Sequence, residues 1–312
     1  MNQEYVSFVL FEDDKPVIYD MKDEYKSLLY LVESDTNVEK WEKYKQYKPV
    51  QDNDSIDCDV CELAVYVYHK AWKFLKEAKV NDDRPTRQYN ENPYYVRNHK
   101  YQLVINHDDK TKEYYRGDTM TSFKNTYNHY KKHFGSNEKI KVQIEKFAKL
   151  HHTLGNMIPI PSYFNSERSG KYARYDFWDL TMQQIKKWYK HPDDDEPLKQ
   201  LLNPDGENKE EEMSIKLCKQ WLNYFTHWND FVEKNYLQDF IQLSDDDELM
   251  KDEDGEYILM DFGINHSYKM FTLPLKPEIF YDYLRILNVV IEKRNERILV
   301  ELYNNFKFKP QR

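Results

Sequence analysis

Glycine is scarce in this chain, which has only seven glycines among 312 residues. P-loop NTPases, Rossmann domains and protein kinases hold phosphates with closely spaced glycines, and no such fingerprint is present. Asp261-Phe262-Gly263 has the letters of the kinase magnesium-binding triplet, but no HRD-type catalytic loop precedes it. We therefore interpret this triplet as a strand end followed by a turn, and nucleotide folds of these kinds are excluded.

Cysteine and long apolar runs are also scarce. Three cysteines cannot build a disulfide framework, and Cys58 and Cys61 form a CxxC without a second pair at zinc-ribbon spacing. The sequence contains no signal peptide and no apolar run of transmembrane length. It predicts a soluble, cytoplasmic protein with no membrane partner.

Positive charge is in deficit, with 46 Lys and Arg against 55 Asp and Glu and a formal net charge of −9. This balance argues against a protein that coats DNA generally, although it allows a local basic groove. The acid is concentrated in Asp193–Glu196, Glu207–Glu212 and Asp245–Asp254. We interpret these runs as solvated loops and not as metal cages.

Aromatic residues are abundant, with 27 Tyr and 16 Phe, and can build a large core in a polar chain. The richness in Lys, Asn, Asp, Tyr, Phe and Ile is typical of an AT-rich genome and suggests a low-GC bacterium or a mobile element. No long linker divides the chain. We expect an N-terminal hairpin-helix lobe at 1–50 and a main helical domain at 51–312, together forming one compact body.

Hydrophobic spacing predicts an α+β fold that is mainly α-helical, with two or three short antiparallel β-hairpins and no internal repeat. The predicted hairpins are Tyr5–Phe11 with Val17–Tyr19, Tyr101–Asn106 with Thr111–Tyr115, and Glu248–Met260. The predicted helices are 21–32, 38–44 with a Thr36/Glu39 capping box, Cys61–Ala78, Phe123–Phe134, Ile140–His151 capped by Ser136, Phe177–Tyr189 started by Asp176 or Asp179, a long helix from Cys218 to Val232, and one beginning near Pro277.

The stretch from His151 to Tyr189 stands out as one long loop that leads into a helix. Long ordered loops in compact domains are usually functional. Its polar residues predict a catalytic or ligand-binding cluster: His152, Asn156, Asn165, Arg168, Arg174, Asp176 and Asp179. His152 would act as proton acceptor or ligand, and the two Asn side chains would orient the substrate. The alternative is that these residues cap helices and brace the loop.

Arg294 interrupts the apolar stripe of the last predicted helix. An unpaired buried guanidinium is very costly, so it must reach a carboxylate, a ligand or solvent. A salt bridge to Asp176 or Asp179 is one prediction, and an anion site shared with Arg168 is the other. Arg297 lies one step off the stripe and can join either arrangement.

His129 and His133 lie four residues apart on a predicted helix, so they face the same side. They could share a metal, although the intervening Glu of a zinc-protease HExxH is missing. Surface or boundary histidines are the alternative interpretation.

Two resemblances follow from these motifs. His152-Thr153-Leu154-Gly155-Asn156, Pro159, Asn165, Arg168 and Asp176–Thr181, with Arg294–Ile298 near the end, resemble an uncharacterised bacterial family over roughly residues 115–302. Its members carry a Thr-Leu/Ile-Gly-Asn, Pro, Asn, Arg, Phe-Asp-Leu-Thr series and a C-terminal Arg-Asn-x-Arg-Ile helix. This resemblance implies no activity.

His152–Asn156 with Asn165 is also similar to the second half of the HNH nuclease domain of modification-dependent restriction systems. That resemblance implies a nuclease that uses a divalent metal. The upstream Glu-His-Ile-x-Pro-type segment of those nucleases does not precede His152 here.

Three functional hypotheses therefore stand. The first is a polar Arg/Asn/Asp pocket for an anionic ligand, either a nucleotide or a nucleic acid, in host defence such as phage defence or in a mobile element. The second is a metal-dependent, HNH-like nuclease. The third is a non-enzymatic module that binds a protein partner.

Overall fold

The computed structural model describes residues 8–12, 15–19, 62–81, 87–88, 96–97, 102–108, 110–151, 153–169, 177–203, 206, 208–262 and 276–305. The described part is α+β and mainly helical, which confirms the predicted fold class. The predicted helices at 21–32 and 38–44 and the Cys58/Cys61 pair lie outside these residues. The division into 1–50 and 51–312 stays a prediction.

Strands in the described part form one four-stranded antiparallel sheet and two separate pairs. The strands are β1 (Phe8–Glu12), β2 (Lys15–Tyr19), β3 (Lys79–Asn81), β4 (Arg87–Gln88), β5 (Val96–Arg97), β6 (Gln102–Asn106), β7 (Lys112–Thr119) and β8 (Met157–Pro161). The larger sheet has the order β3-β6-β7-β8, while β1 pairs with β2 and β4 with β5. The first two predicted hairpins are therefore confirmed as β1-β2 and β6-β7.

β8 corrects the prediction of one long loop after His151. All five of its residues are buried, and Pro159 pairs with Gly117 of β7. Proline has no N–H to donate, so a strand with two prolines is tolerated at a sheet edge, the place β8 occupies in this sheet. The polar residues of this stretch are thus held by regular structure.

Nine α-helices are present in the described part. They are α1 (Glu62–Ala71), α2 (Phe123–Phe134), α3 (Glu138–Leu150), α4 (Phe164–Ser169), α5 (Trp178–Lys190), α6 (Glu196–Leu202), α7 (Glu211–Leu222), α8 (Trp228–Lys234) and α9 (Pro277–Asn305). Short 3₁₀ turns lie at Lys73–Leu75, Leu154–Asn156 and Gln238–Phe240. α9 packs against α1, α3 and the turns at 154–156 and 238–240.

Three helix predictions are wrong in detail. The helix expected at Cys61–Ala78 ends at Ala71, and the long helix from Cys218 to Val232 is two helices, α7 and α8, separated by a turn. Asn137, and not Ser136, caps α3 by accepting a hydrogen bond from the Ile140 amide at 3.2 Å. The predicted start of α5 at Asp176 or Asp179 is not the observed one. Phe177 occupies the N-cap position, and its side chain makes no capping hydrogen bond.

The predicted Glu248–Met260 hairpin is present, with Lys251 and Tyr257 bridged antiparallel, and it is part of an eight-residue repeat that the sequence interpretation missed. Backbone amides of Gln242, Met250 and Ile258 donate in turn to the carbonyls of Ile258, Gln242 and Met250, at 2.8, 2.9 and 3.0 Å. These residues are eight apart, and their hydrogen bonds close a ring of three short strands. We call residues 240–262 the octad ring.

The core is continuous and aromatic. Its largest fully buried side chains include five tryptophans, namely Trp72, Trp178, Trp188, Trp221 and Trp228. Within the described ranges, no helix is long and apolar enough to cross a membrane.

Gly155 lets α9 approach the 154–156 turn. A Cβ at this position would overlap the carbonyl oxygen of Ile291 on α9. We expect Gly155→Ala to lower the free energy of unfolding by about 2–3 kcal/mol, because the helix must move away. Urea unfolding followed by tryptophan fluorescence measures the change.

Gly135→Ala is the matched control for this substitution. Gly135 follows α2 with φ −55°, a conformation open to alanine, and we expect a change within about 0.5 kcal/mol. Equal unfolding midpoints for the two variants would contradict the close approach of α9.

Candidate functional site

Arg294 lies fully buried on α9 at the junction of three chain segments. Its guanidinium stands 5.2 Å from the ring of Trp178. It donates hydrogen bonds of 2.8–3.3 Å to four backbone carbonyls, those of Leu154, Gly155, Met157 and Asn235. Burial lowers the pKa of Arg294 to about 9, so the group stays cationic at neutral pH.

These contacts bear on both predictions made for Arg294, although Asp176, one of its two predicted partners, lies outside the described residues. Among the described residues, no carboxylate forms a salt bridge with it, so the predicted pair with Asp179 is wrong. Its donors point at backbone oxygens inside the protein, and its side chain is closed to solvent. Arg294 therefore holds the fold together and is not placed to bind a ligand.

The residue after Arg294 reinforces the same junction. Asn295 accepts a hydrogen bond from the Gly155 amide at 2.6 Å and donates one to the Thr153 hydroxyl at 3.0 Å. The C-terminal Arg-Asn pair thus contacts the Thr-Leu-Gly-Asn segment directly. These two segments, which carry much of the family resemblance, bind each other.

Asn156 makes four hydrogen bonds and is fully buried. Its amide nitrogen donates to the carbonyls of Thr121 and His151, at 2.9 and 2.8 Å. Its oxygen accepts from the Thr121 amide at 3.2 Å and from the Trp178 indole at 3.1 Å. The hydrogen-bonding atoms of the Asn156 side chain are therefore all engaged inside the protein, and none is left to orient a substrate as predicted.

Arg168 is also fully buried and belongs to a polar chain at the end of β7. It donates to the carbonyls of Thr119 and Met120, to the Thr181 hydroxyl and to Asn165. The amide of Asn165 in turn donates to the Asp118 carboxylate at 2.8 Å. Arg168 and Asn165 therefore tie β7, α4 and α5 together, as the bracing alternative anticipated.

Asp179 lies in the first turn of α5, and its exposure is only 4%. Neither carboxylate oxygen has a hydrogen-bond partner of acceptable geometry. Burial raises the pKa of Asp179 to about 6; the first amides of α5 oppose this shift and the charge of Asp261 adds to it. Asp179 is thus a buried carboxyl that has no ion-pair partner among the described residues.

His129 and His133 do lie together, with ring centroids 4.8 Å apart. His129 is buried and packs edge-on against Phe280, with 5.0 Å between centroids. No group of three His, Cys, Asp or Glu side chains that could hold a metal occurs in the described ranges. The metal role of the pair stays a prediction.

Three of the predicted site residues, His152, Arg174 and Asp176, lie outside the described residues. The HNH-like nuclease hypothesis depends on His152 as base or ligand. That hypothesis accordingly stays a prediction.

Arg297 is the predicted site residue that borders an accessible cavity. It forms a bidentate pair with Asp239, with N···O distances of 2.8 and 3.0 Å, and this hydrogen bonding raises its pKa. Cavities of about 690 and 370 Å³ lie on the two sides of the pair and share Lys293 and Gln238 in their linings. We call these adjoining cavities the α9 groove.

α9 forms one wall of the α9 groove. The opposite wall is the octad ring with the 3₁₀ turn before it at the smaller cavity, and α8 with the segment after α1 at the larger cavity. Arg285, Val289, Lys293 and Arg297 follow one another at four-residue spacing, so they share one helix face. Leu243 faces them from the octad ring. This groove was not predicted from the sequence. The apolar stripe of α9 indicates only the buried face of the helix, and the groove residues lie on another face.

Arg294→Lys tests whether the four carbonyls depend on the guanidinium. A lysine ammonium keeps the charge but cannot reproduce the planar set of donors. We expect the free energy of unfolding to fall by at least about 3 kcal/mol, because buried carbonyls lose their donors. Arg297→Lys, at a half-exposed pair, should change it by less than about 1 kcal/mol. Similar urea midpoints for both variants would contradict the role given to Arg294.

Asp179 should make stability fall as pH rises. Its pKa is about 6 in the folded protein against 3.8 as the ordinary value, so between these values the folded state holds more protons. Raising the pH from 4 to 7 should therefore lower the free energy of unfolding by about 3 kcal/mol through this group. Asp179→Asn should remove that component, measured by urea unfolding in EDTA at each pH. If the free energy of unfolding depends on pH in the same way in the parent protein and in Asp179→Asn, this role of Asp179 is contradicted.

Comparison with known proteins gives one result that bears on these residues. No curated protein and no solved structure matches the chain. The sequence profile of DUF6994, described as a family of unknown function, matches residues 44–298. This agrees with the uncharacterised family expected from the motifs, and the match begins well before the 115–302 expected. The chain belongs to DUF6994, a family of unknown function.

Proposed function

We propose that the protein is an interaction module that binds a segment of a partner protein in the α9 groove. The observation that carries this proposal is the cluster of exposed aliphatic side chains along an open groove. Leu243 is 43% exposed, Val289 is 38% exposed and Val300 is 57% exposed, and all three line the two cavities. Clusters of exposed apolar side chains rimmed by polar residues are typical of protein-binding sites.

The charges at the groove indicate the chemistry of the bound segment. Arg285, Lys293 and Arg297 border the smaller cavity, against Asp239 and Asp247. Asp239 and Arg297 neutralise each other in their bidentate pair, which leaves Arg285 and Lys293 against Asp247. In a chain with net charge −9, the smaller cavity thus carries a local excess of positive charge, whereas Glu233, Glu296 and Glu301 border the larger one. A segment that carries aliphatic side chains next to carboxylates would complement both features.

The anionic ligand predicted from the sequence is retained here in another form and at another place. Arg168 and Arg294 are engaged inside the protein, so they supply no charge to it. Arg285 and Lys293 reach the smaller cavity of the groove instead. The carboxylates of an acidic peptide would be the anions that these two side chains meet.

A peptide-display experiment tests this function. A library of random 12-residue peptides is panned against the full chain, and the enriched peptides are synthesised with a fluorophore. We expect enrichment of aliphatic residues next to Asp or Glu. Fluorescence polarisation should show at least a tenfold loss of affinity in Val289→Asp and in Lys293→Glu, and weaker binding at high salt.

Val142→Asp is the matched control for Val289→Asp. Val142 is an exposed valine on α3, 58% exposed, and does not line the groove. Its substitution should leave the affinity unchanged. Failure to enrich acidic-aliphatic peptides, or enriched peptides that bind Val289→Asp as well as the parent protein, would overturn the proposal.

A further inference from the structure

The smaller cavity of the α9 groove has a basic wall and, opposite it, an acidic turn. The basic wall is the α9 face that carries Arg285 and Lys293. The turn is Asp245–Glu248 of the octad ring; its four residues are all exposed, and Asp247 lines the cavity. Within the described ranges no salt bridge joins the turn to this face, and Arg285 contacts Asp282 of its own helix at 3.4 Å, an exposed pair. The charges on the two walls are therefore available to a second molecule.

The acidic turn is held in one shape by its own hydrogen bonds. The Ser244 hydroxyl oxygen accepts from the amides of Asp246 and Glu248 at 3.3 and 3.2 Å, and the Ser244 amide donates to the Glu248 carbonyl at 2.9 Å. Leu243 and Leu249 are bridged antiparallel at the base of the turn. A segment that is already ordered loses little conformational entropy on binding. The turn thus presents carboxylates beside aliphatic side chains, which is the chemistry proposed for the ligand of the groove.

Exposed aliphatic side chains lie on both walls. Val289 stands between Arg285 and Lys293 on α9, and Leu243 and Met250 flank the turn on the ring. Each wall therefore combines apolar side chains with charge of one sign, and the two walls carry opposite signs. Such a surface is complementary to itself. A two-fold axis that runs along the groove would place α9 of each copy against the ring of the other.

We propose that the occupant of the α9 groove is a second copy of this chain, in a symmetric dimer. The acidic turn of each copy would lie against Arg285 and Lys293 of the other, and Leu243 would meet Val289. Every contact would occur twice, because an isologous interface is the same patch on both subunits. This inference rests on the proposed function, since it identifies the segment that the groove binds as the turn of a second copy. The patch surrounds a cavity of only about 370 Å³, so we expect a transient dimer with a Kd in the micromolar range.

Sedimentation velocity of the full chain tests the dimer. The chain is run from about 2 to about 200 µM in 150 mM NaCl, and we expect the weight-average mass to rise from that of one chain toward that of two. Lys293→Glu and Asp246→Lys should each weaken self-association at least tenfold, because each sets like charges against each other in both copies of the contact. Asp246 is substituted in preference to Asp247, whose φ is positive.

A mixture of the two variants is the decisive sample. Glutamate at position 293 of one variant then faces lysine at position 246 of the other, and the second set of contacts keeps its original charges. The mixture should therefore form a heterodimer although each variant alone is largely monomeric, and this recovery requires both variants to be folded. Lys199→Glu and Asp193→Lys are the matched controls, because they change the net charge equally at exposed positions outside the groove. Each control should self-associate like the parent protein.

A parent protein that stays monomeric at the highest concentration would overturn the dimer, as would self-association that persists in both variants. Peptide binding separates this failure from failure of the proposed function. If the parent protein is monomeric but acidic-aliphatic peptides bind to it and not to Val289→Asp, the groove binds another partner, and only the inference on a second copy fails. If neither self-association nor peptide binding occurs, both fail.

Discussion

The fold depends on the buried guanidinium of Arg294, which has backbone oxygens in place of a counter-ion. Arg294 gathers the carbonyls of the 154–157 segment and of Asn235, the residue that follows α8. The 154–157 segment and Asn235 lie on separate parts of the chain, and the one guanidinium donates hydrogen bonds to both. Asn235 extends the arrangement, since its side-chain oxygen accepts from the Trp72 indole at 3.0 Å. One side chain thus links α9, the start of β8, α8 and the segment after α1.

The motifs on which the family resemblance was based therefore describe an internal structure. Thr153–Asn156 meet Arg294 and Asn295, while Arg168 meets Asn165 and Thr181. This series of polar residues looks like the signature of an active site, because it contains Asn, Arg and Thr at fixed spacing. Their hydrogen bonds are directed at backbone and at one another. The accessible groove is lined mostly by residues outside this motif, and Arg297 of the Arg-Asn-x-Arg-Ile series is the motif residue that pairs at its surface.

Parts of this structure could be predicted from the sequence because their cause is local. The spacing of Phe123, Tyr127, Tyr130 and Phe134 gives α2, and Pro277 marks the start of α9. Arg294 could be recognised as a buried guanidinium that needs partners. Its partners could not be found, because a backbone carbonyl has no signature in the sequence and these lie about 60 or 140 residues away.

Other parts escaped prediction because tertiary pairing decides them. Two prolines argued against a strand, and only the edge position of β8 makes them acceptable. The apolar spacing continues through Phe225 and so concealed the break between α7 and α8. In the octad ring, the feature that recurs every eight residues is the backbone hydrogen bonding, more than the type of side chain. Its clearest sequence traces are the turn residues Asp247 and Gly255, eight apart, both with positive φ.

The closure of the octad ring has a consequence for how this part of the chain can vary. Each strand of the ring gives its central amide to one neighbour and its central carbonyl to the other, so no strand edge is left over. A sheet with open edges can gain or lose a strand, whereas a closed ring of three cannot. Insertions in relatives of this protein should therefore fall in the acidic turns at 244–248 and 252–256 and not within the three strands. The number of strands, and with it one wall of the smaller cavity, should stay constant.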